Sequence, residues 1–96
     1  MNHIRSLLSE IENAPVECDG FTRLAVTILT KNNIAHTPFT GRVMHHGEQV
    51  IPYHFWIAVD DHIIDYRARM WLGDKAPHGI FKEEQFPDYE LIGEPA

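Results

Sequence analysis

Two apolar runs, Tyr53–Val59 (YHFWIAV) and His62–Ala68 (HIIDYRA), stand on either side of a single dipeptide, Asp60-Asp61. Runs rich in β-branched and aromatic residues, this close together, read as an antiparallel hairpin. Aspartates tolerate the left-handed backbone that a tight turn requires. A two-residue turn also fixes the register. Val59 then faces His62, Ala58 faces Ile63, Ile57 faces Ile64 and Trp56 faces Asp65. Side chains alternate along a strand, so His54, Trp56 and Ala58 share one face with Ile63, Asp65 and Arg67. His54 and Asp65 become diagonal neighbours, roughly 7–8 Å apart at Cα. A carboxylate at that distance can accept from one imidazole nitrogen and fix the ring's tautomer. A three-residue loop would reverse the parity and separate the two side chains.

Ahead of this hairpin the periodicity is helical. Ile4, Leu7, Leu8 and Ile11 make one apolar stripe, ended by Asn13-Ala14-Pro15. Cys18–Asn33 (CDGFTRLAVTILTKNN) carries Phe21, Leu24, Ala25, Ile28 and Leu29 at helical spacing, which predicts a central buried helix. Cys18 opens it on the apolar side, Asp19 suits the positive end of its dipole, and Asn32-Asn33 is the expected stop. From Ile34 the chain breaks into short strand-like runs, Arg42–Met44 and Val50-Ile51, with Pro38 and Pro52 expected at ends, edges or bulges. Trp71–Gly73 and Pro77–Gly79 read as loop, and Tyr89–Ile92 as a last strand. The expectation is an α+β fold, N-terminal helices packed on an antiparallel sheet. At 96 residues it is a single domain, 1–96.

Fourteen acidic and eight basic residues give a formal charge of -6, with no basic cluster. Phosphate binding needs grouped Lys and Arg, so a nucleic-acid partner is not expected. No apolar stretch is long enough to cross a bilayer, so no membrane partner is expected either. The N-terminus lacks a signal-like apolar region, and the single cysteine cannot form an internal disulfide. Together these favour a reducing, cytoplasmic setting. Seven histidines raise the question of a metal, but no His-x-x-x-His or Cys-x-x-Cys spacing occurs, and His45-His46 point to opposite faces of a strand. No metal and no cofactor are expected.

Cys18 is the chemically distinctive residue. A lone cysteine is usually a small buried apolar side chain. A helix N-terminus and a nearby imidazolium, however, both favour the thiolate. A cysteine so placed, facing a sheet that carries a His–carboxylate pair, is the arrangement nucleophilic sulfur chemistry needs. Its own backbone N–H could donate to a developing oxyanion. For a second donor, Asn13, Gln49 and Tyr53 are candidates. Tyr53 and Trp56 flank His54 and are candidate substrate contacts, with core packing the alternative for Trp56. Arg67 and Arg69 read as surface residues.

A cysteine opening a helix, then His-x-Trp (His54-Phe55-Trp56), then Asp65 on the next strand resembles the transglutaminase-like branch of the papain-like superfamily. The resemblance spans about residues 18–67, and NlpC-type peptidases share the layout. Tyr66-Arg67 follows the Asp where a Pro or similar turn residue is usual, and the chain is shorter than most such enzymes. The resemblance implies Cys18 as nucleophile, His54 as base and Asp65 as orienting acid. It also implies acyl transfer through a thioester on a protein or peptide substrate: amide hydrolysis, deamidation or transglutamination. The rival from another class is a non-catalytic protein-binding module or inhibitor that keeps the fold.

Overall fold

A computed structural model describes residues 1–96. Helices α1 (Asn2–Leu8) and α2 (Cys18–Lys31) precede strands β1 (Thr37–His45), β2 (Glu48–Val59) and β3 (His62–Asp65). A short helix α3 (Arg69–Leu72), strand β4 (Gly79–Phe81) and strand β5 (Tyr89–Pro95) follow. The five strands form one sheet in the order β4-β3-β2-β1-β5, every pair antiparallel. The architecture is α+β, as the periodicities predict.

Helix α1 stops at Leu8, earlier than the apolar stripe suggests. The Ser9 hydroxyl donates to the Ser6 carbonyl at 2.7 Å and competes with helix continuation, and Ile11 packs from the turn that follows. In α2 the buried stripe is Phe21, Thr22, Ala25 and Leu29, and Cys18 extends it by one turn. Leu24, expected in the core, is 39% exposed, and Ile28 is half-buried. The helix rests on the sheet along one side only, so the stripe is narrower than its apolar content implies. Asn32 ends the helix by donating Nδ2–H to the Ile28 carbonyl at 2.8 Å, and Asn33 follows in left-handed backbone at φ 57°.

The sheet buries both faces. Against α1 and α2 lie Ile57, Val59, Ile64 and Tyr66, packed on Leu8, Phe21, Ala25 and Leu29. On the opposite face Val43, Ile51, Trp56, Ile63, Phe81 and Tyr89 form a second core, roofed by Ala68 and Ala76 from the segment after β3. That segment does not read as structured from sequence. Its apolar residues are isolated, and β4 exists because Ile63, Ile64 and Asp65 offer it a free edge.

The runs Val50-Ile51 and Tyr53–Val59 belong to one strand. Pro52 sits where the β1–β2 register slips, between the pairs Gly41↔His54 and Val43↔Ile51. A bulge is where a residue without an N–H is tolerated. The slip changes the parity, so that Ile51 and Trp56 both reach the second core. Gly41, opposite His54, has no room for a side chain: an added Cβ would stand 2.0 Å from the Ile92 carbonyl oxygen of β5.

The hairpin pairs as the two-residue turn requires: Val59↔His62, Ala58↔Ile63 and Ile57↔Ile64, with Asp60 at φ 54°. The expected Trp56–Asp65 pair does not form. Asp65 Oδ1 accepts from the backbone N–H groups of Arg67 (3.1 Å) and Ala68 (3.2 Å), which turns the chain out of the strand. Beyond Ile57↔Ile64 strands β2 and β3 therefore part.

Candidate active site where two strands part

His54 and Asp65 close this opening with side chains instead of backbone. Both are buried, and His54 Nε2–H donates to Asp65 Oδ2 at 2.7 Å. A carboxylate that keeps its charge can only accept, so this bond places a proton on Nε2. Asp65 is itself held by the two amides on its other oxygen, so the imidazole has a fixed orienting partner. Nδ1 is buried and has no hydrogen-bond partner. Cys18 is the other side chain that interacts with the imidazole. The parting of the strands is what brings them together, because His54 points to the second-core face while α2 lies on the first.

Burial alone would drive the proton off His54. The hydrogen bond to Asp65, the interaction with Cys18 and the charges of both outweigh burial and raise its pKa from 6.5 to about 9. The imidazolium is thus the resting form near neutrality.

Cys18 is fixed by Arg67, through the segment that leads into α2. The guanidinium donates from Nε to the Val16 carbonyl at 2.7 Å, from Nη1 to Glu12 at 2.9 Å, and from Nη2 to Ala14 at 3.0 Å. It also packs over the Phe21 ring, 4.7 Å from the centroid. The surface expectation for Arg67 is therefore corrected: it is 7% exposed, and burial lowers its pKa. A signal for this role exists in the sequence. The irregular segment before Cys18 has carbonyls without regular partners, and Arg carries five donors. The backbone N–H of Arg67 holds Asp65 while its side chain holds the approach to Cys18, so one residue ties Asp65 to Cys18. Arg69 is exposed.

The half-buried Cys18 opens into a cleft of about 440 Å³, walled by Tyr53 and Phe55 of β2 and by Met70 and Trp71 of α3. Tyr53, 62% exposed, meets Phe55 edge-on at 5.3 Å. Glu17 and Asp19 complete the rim. These walls, apart from Tyr53, were not legible, because α3 reaches the cleft only through the turn after β3. Trp56 is no part of it. That expectation is corrected: Trp56 is 3% exposed, stacked between Phe39 (5.9 Å) and His54 (6.2 Å) behind the ring. Of the candidate oxyanion donors, Tyr53 lies at the cleft. Asn13 lines a different hollow, and Gln49 sits at the far end of β2 opposite Met44. The Cys18 N–H, in the first turn of α2, has no intrahelical acceptor to compete for it.

No cluster of His, Cys, Asp and Glu is arranged to hold a metal ion. No helix is long and apolar enough to cross a membrane. Comparison with protein-family models, with curated proteins and with solved structures finds no match to this chain.

Proposed function

We propose that this chain is a cysteine-dependent acyl-transfer enzyme with a papain-like, transglutaminase-like core. The observation that carries the proposal is the buried His54–Asp65 hydrogen bond of 2.7 Å on an imidazole that also interacts with Cys18. A structural histidine needs no such arrangement, whereas a thiol nucleophile does. In the reaction Cys18 Sγ attacks an amide carbonyl, and the thiol proton is held by His54. The oxyanion is met by the Cys18 N–H. His54 then protonates the leaving nitrogen, the C–N bond breaks and an acyl thioester remains. Water or an amine gives its proton to His54, attacks the thioester and restores the thiol. Hydrolysis, deamidation and transglutamination differ only in the amide chosen and in that last nucleophile.

Alkylation of Cys18 by iodoacetamide against pH tests the reading in wild type, His54→Ala and Asp65→Asn. The expected result is rapid modification below pH 7 in wild type and a loss of roughly tenfold or more in His54→Ala. If all three proteins follow the profile of an ordinary thiol, with a midpoint of about 8.5, the enzyme reading falls. The non-catalytic binding module then takes its place.

A further inference from the structure

The molecule has a second cavity, which shares no lining residue with the cleft at Cys18. It holds about 440 Å³ and lies between the segment after α3 and the end of the β1–β5 ladder, where His45 pairs with Tyr89. Its floor is buried, formed by Tyr89, Ala76 and Pro77. Half-buried Leu72 and His45 make two of its sides, and Phe86 a third. An apolar hollow of this size with a few polar groups is the form that small-molecule sites take.

The polar groups give the cavity a sign. Lys75 stands exposed at its mouth and belongs to no ion pair. The Gln85 side-chain carbonyl accepts from the Lys82 N–H at 2.8 Å, which leaves the Gln85 amide N–H groups to donate. The only buried polar side-chain atom of the lining without a partner is the Tyr89 hydroxyl. Burial, and then the charge of Asp65, raise its pKa, so it keeps its proton and its capacity to donate. The imidazole of His45 can serve either way. One acid is present, Asp88, and its carboxylate lies 3.5 Å from Nδ1 of His46, a residue outside the lining. The lining therefore offers one unpaired positive charge, further donors, and no negative charge without a neighbour to engage it.

We propose that this cavity binds a small organic carboxylate with a flat apolar body, of the size and shape of an arylalkanoate. The carboxylate faces Lys75 and the Gln85 amide at the mouth, and a charge-assisted bond there sets the ligand's orientation. The apolar body lies on Tyr89 between Leu72 and Phe86, and its removal from water supplies most of the affinity.

Titration followed by backbone-amide NMR tests this. The probes are 3-phenylpropanoate, its neutral amide, acetate and 2-phenylethylamine. The proteins are wild type, Lys75→Gln, Phe86→Ala and Lys31→Gln, which removes the same charge at the far end of α2. The acid is expected to bind wild type with a Kd on the order of 1 mM and to shift the amides of Lys75, Ala76, Phe86 and Tyr89. Its amide should bind roughly fivefold more weakly. That difference should vanish in Lys75→Gln and persist in Lys31→Gln, while Phe86→Ala should weaken acid and amide alike. Absence of binding by the acid, or shifts confined to other parts of the molecule, overturns the site. Equal affinity for acid and amide in wild type, tighter binding of the amine, or an equal loss in Lys75→Gln and Lys31→Gln overturns the anionic preference. Acetate binding as tightly as 3-phenylpropanoate, or affinities unchanged in Phe86→Ala, overturns the apolar body. None of these measurements involves Cys18, so their outcome is independent of the enzyme reading.

Discussion

His54 keeps a proton in a place that should expel it. The unfolded chain, with an ordinary imidazole near 6.5, binds that proton less tightly than the folded one, at about 9. Proton uptake therefore favours folding. The stabilisation is complete below about pH 6.5 and is lost as pH rises through about 9. Melting temperature should fall across that window in wild type. In Asp65→Asn the fall should be much shallower, because the main interaction opposing burial is gone. A melting temperature that stays flat from pH 6 to 9.5 in wild type would contradict this account. At the same scale, Leu29→Ala should cost about 2–5 kcal/mol through a core cavity. Leu24→Ala, at a position 39% exposed, should cost well under that, and Cys18→Ala should leave the fold nearly intact. Thermal melting of the three variants ranks them. If Cys18→Ala melts as low as Leu29→Ala, Cys18 is a packing residue.

Among the elements, the hairpin was legible as far as Ile57↔Ile64, and its end and surroundings were not. Asp60-Asp61 sets parity within a few residues, so the shared face of His54 and Asp65 follows from local sequence alone. Arg67 was misread because its partners lie 51 to 55 residues away, and the irregular segment before Cys18 says that its carbonyls need donors without saying which residue supplies them. Leu24 was misread because periodicity reports which residues are apolar and not how wide a face the partner covers. The end of the β2–β3 ladder depends on the Asp65 carboxylate binding amides just past the strand. That competition between side chain and ladder has no signature in a hydrophobic pattern. The tether has a direct test. Arg67→Lys keeps the charge but cannot reach three separated carbonyls, leaving part-buried acceptors unmet at up to about 1 kcal/mol each. It should lower the melting temperature and also slow Cys18 alkylation, whereas Arg69→Lys should change neither. A lowered melting temperature with unchanged alkylation would reduce Arg67 to a purely structural role. Gly41→Ala should be severely destabilising, since its Cβ would meet β5 backbone at 2.0 Å and no side chain can move aside. Gly47 is at φ 79° in open space, so Gly47→Ala should cost only about 1 kcal/mol, read by urea denaturation.

The whole molecule is three layers: two helices, a sheet, and the segment from Ala68 to Ala76. The α+β layout and the helix-then-strand order were visible from period alone. The third layer was not, since its apolar residues in the second core, Ala68, Leu72 and Ala76, are isolated in a segment that holds one short helix. Cys18 belongs to the first layer, and His54 and Asp65 belong to the second, facing the third. Their meeting depends on the layers having docked. This has a consequence in time as well as in space. A chain growing from its N-terminus exposes Cys18 first; His54 comes 36 residues later (54 − 18) and Arg67 another 13 (67 − 54). Until the last of them has been made and the layers have closed, the thiol has neither its imidazole nor its tether. A half-made chain therefore holds Cys18 without the contacts that surround it in the folded protein.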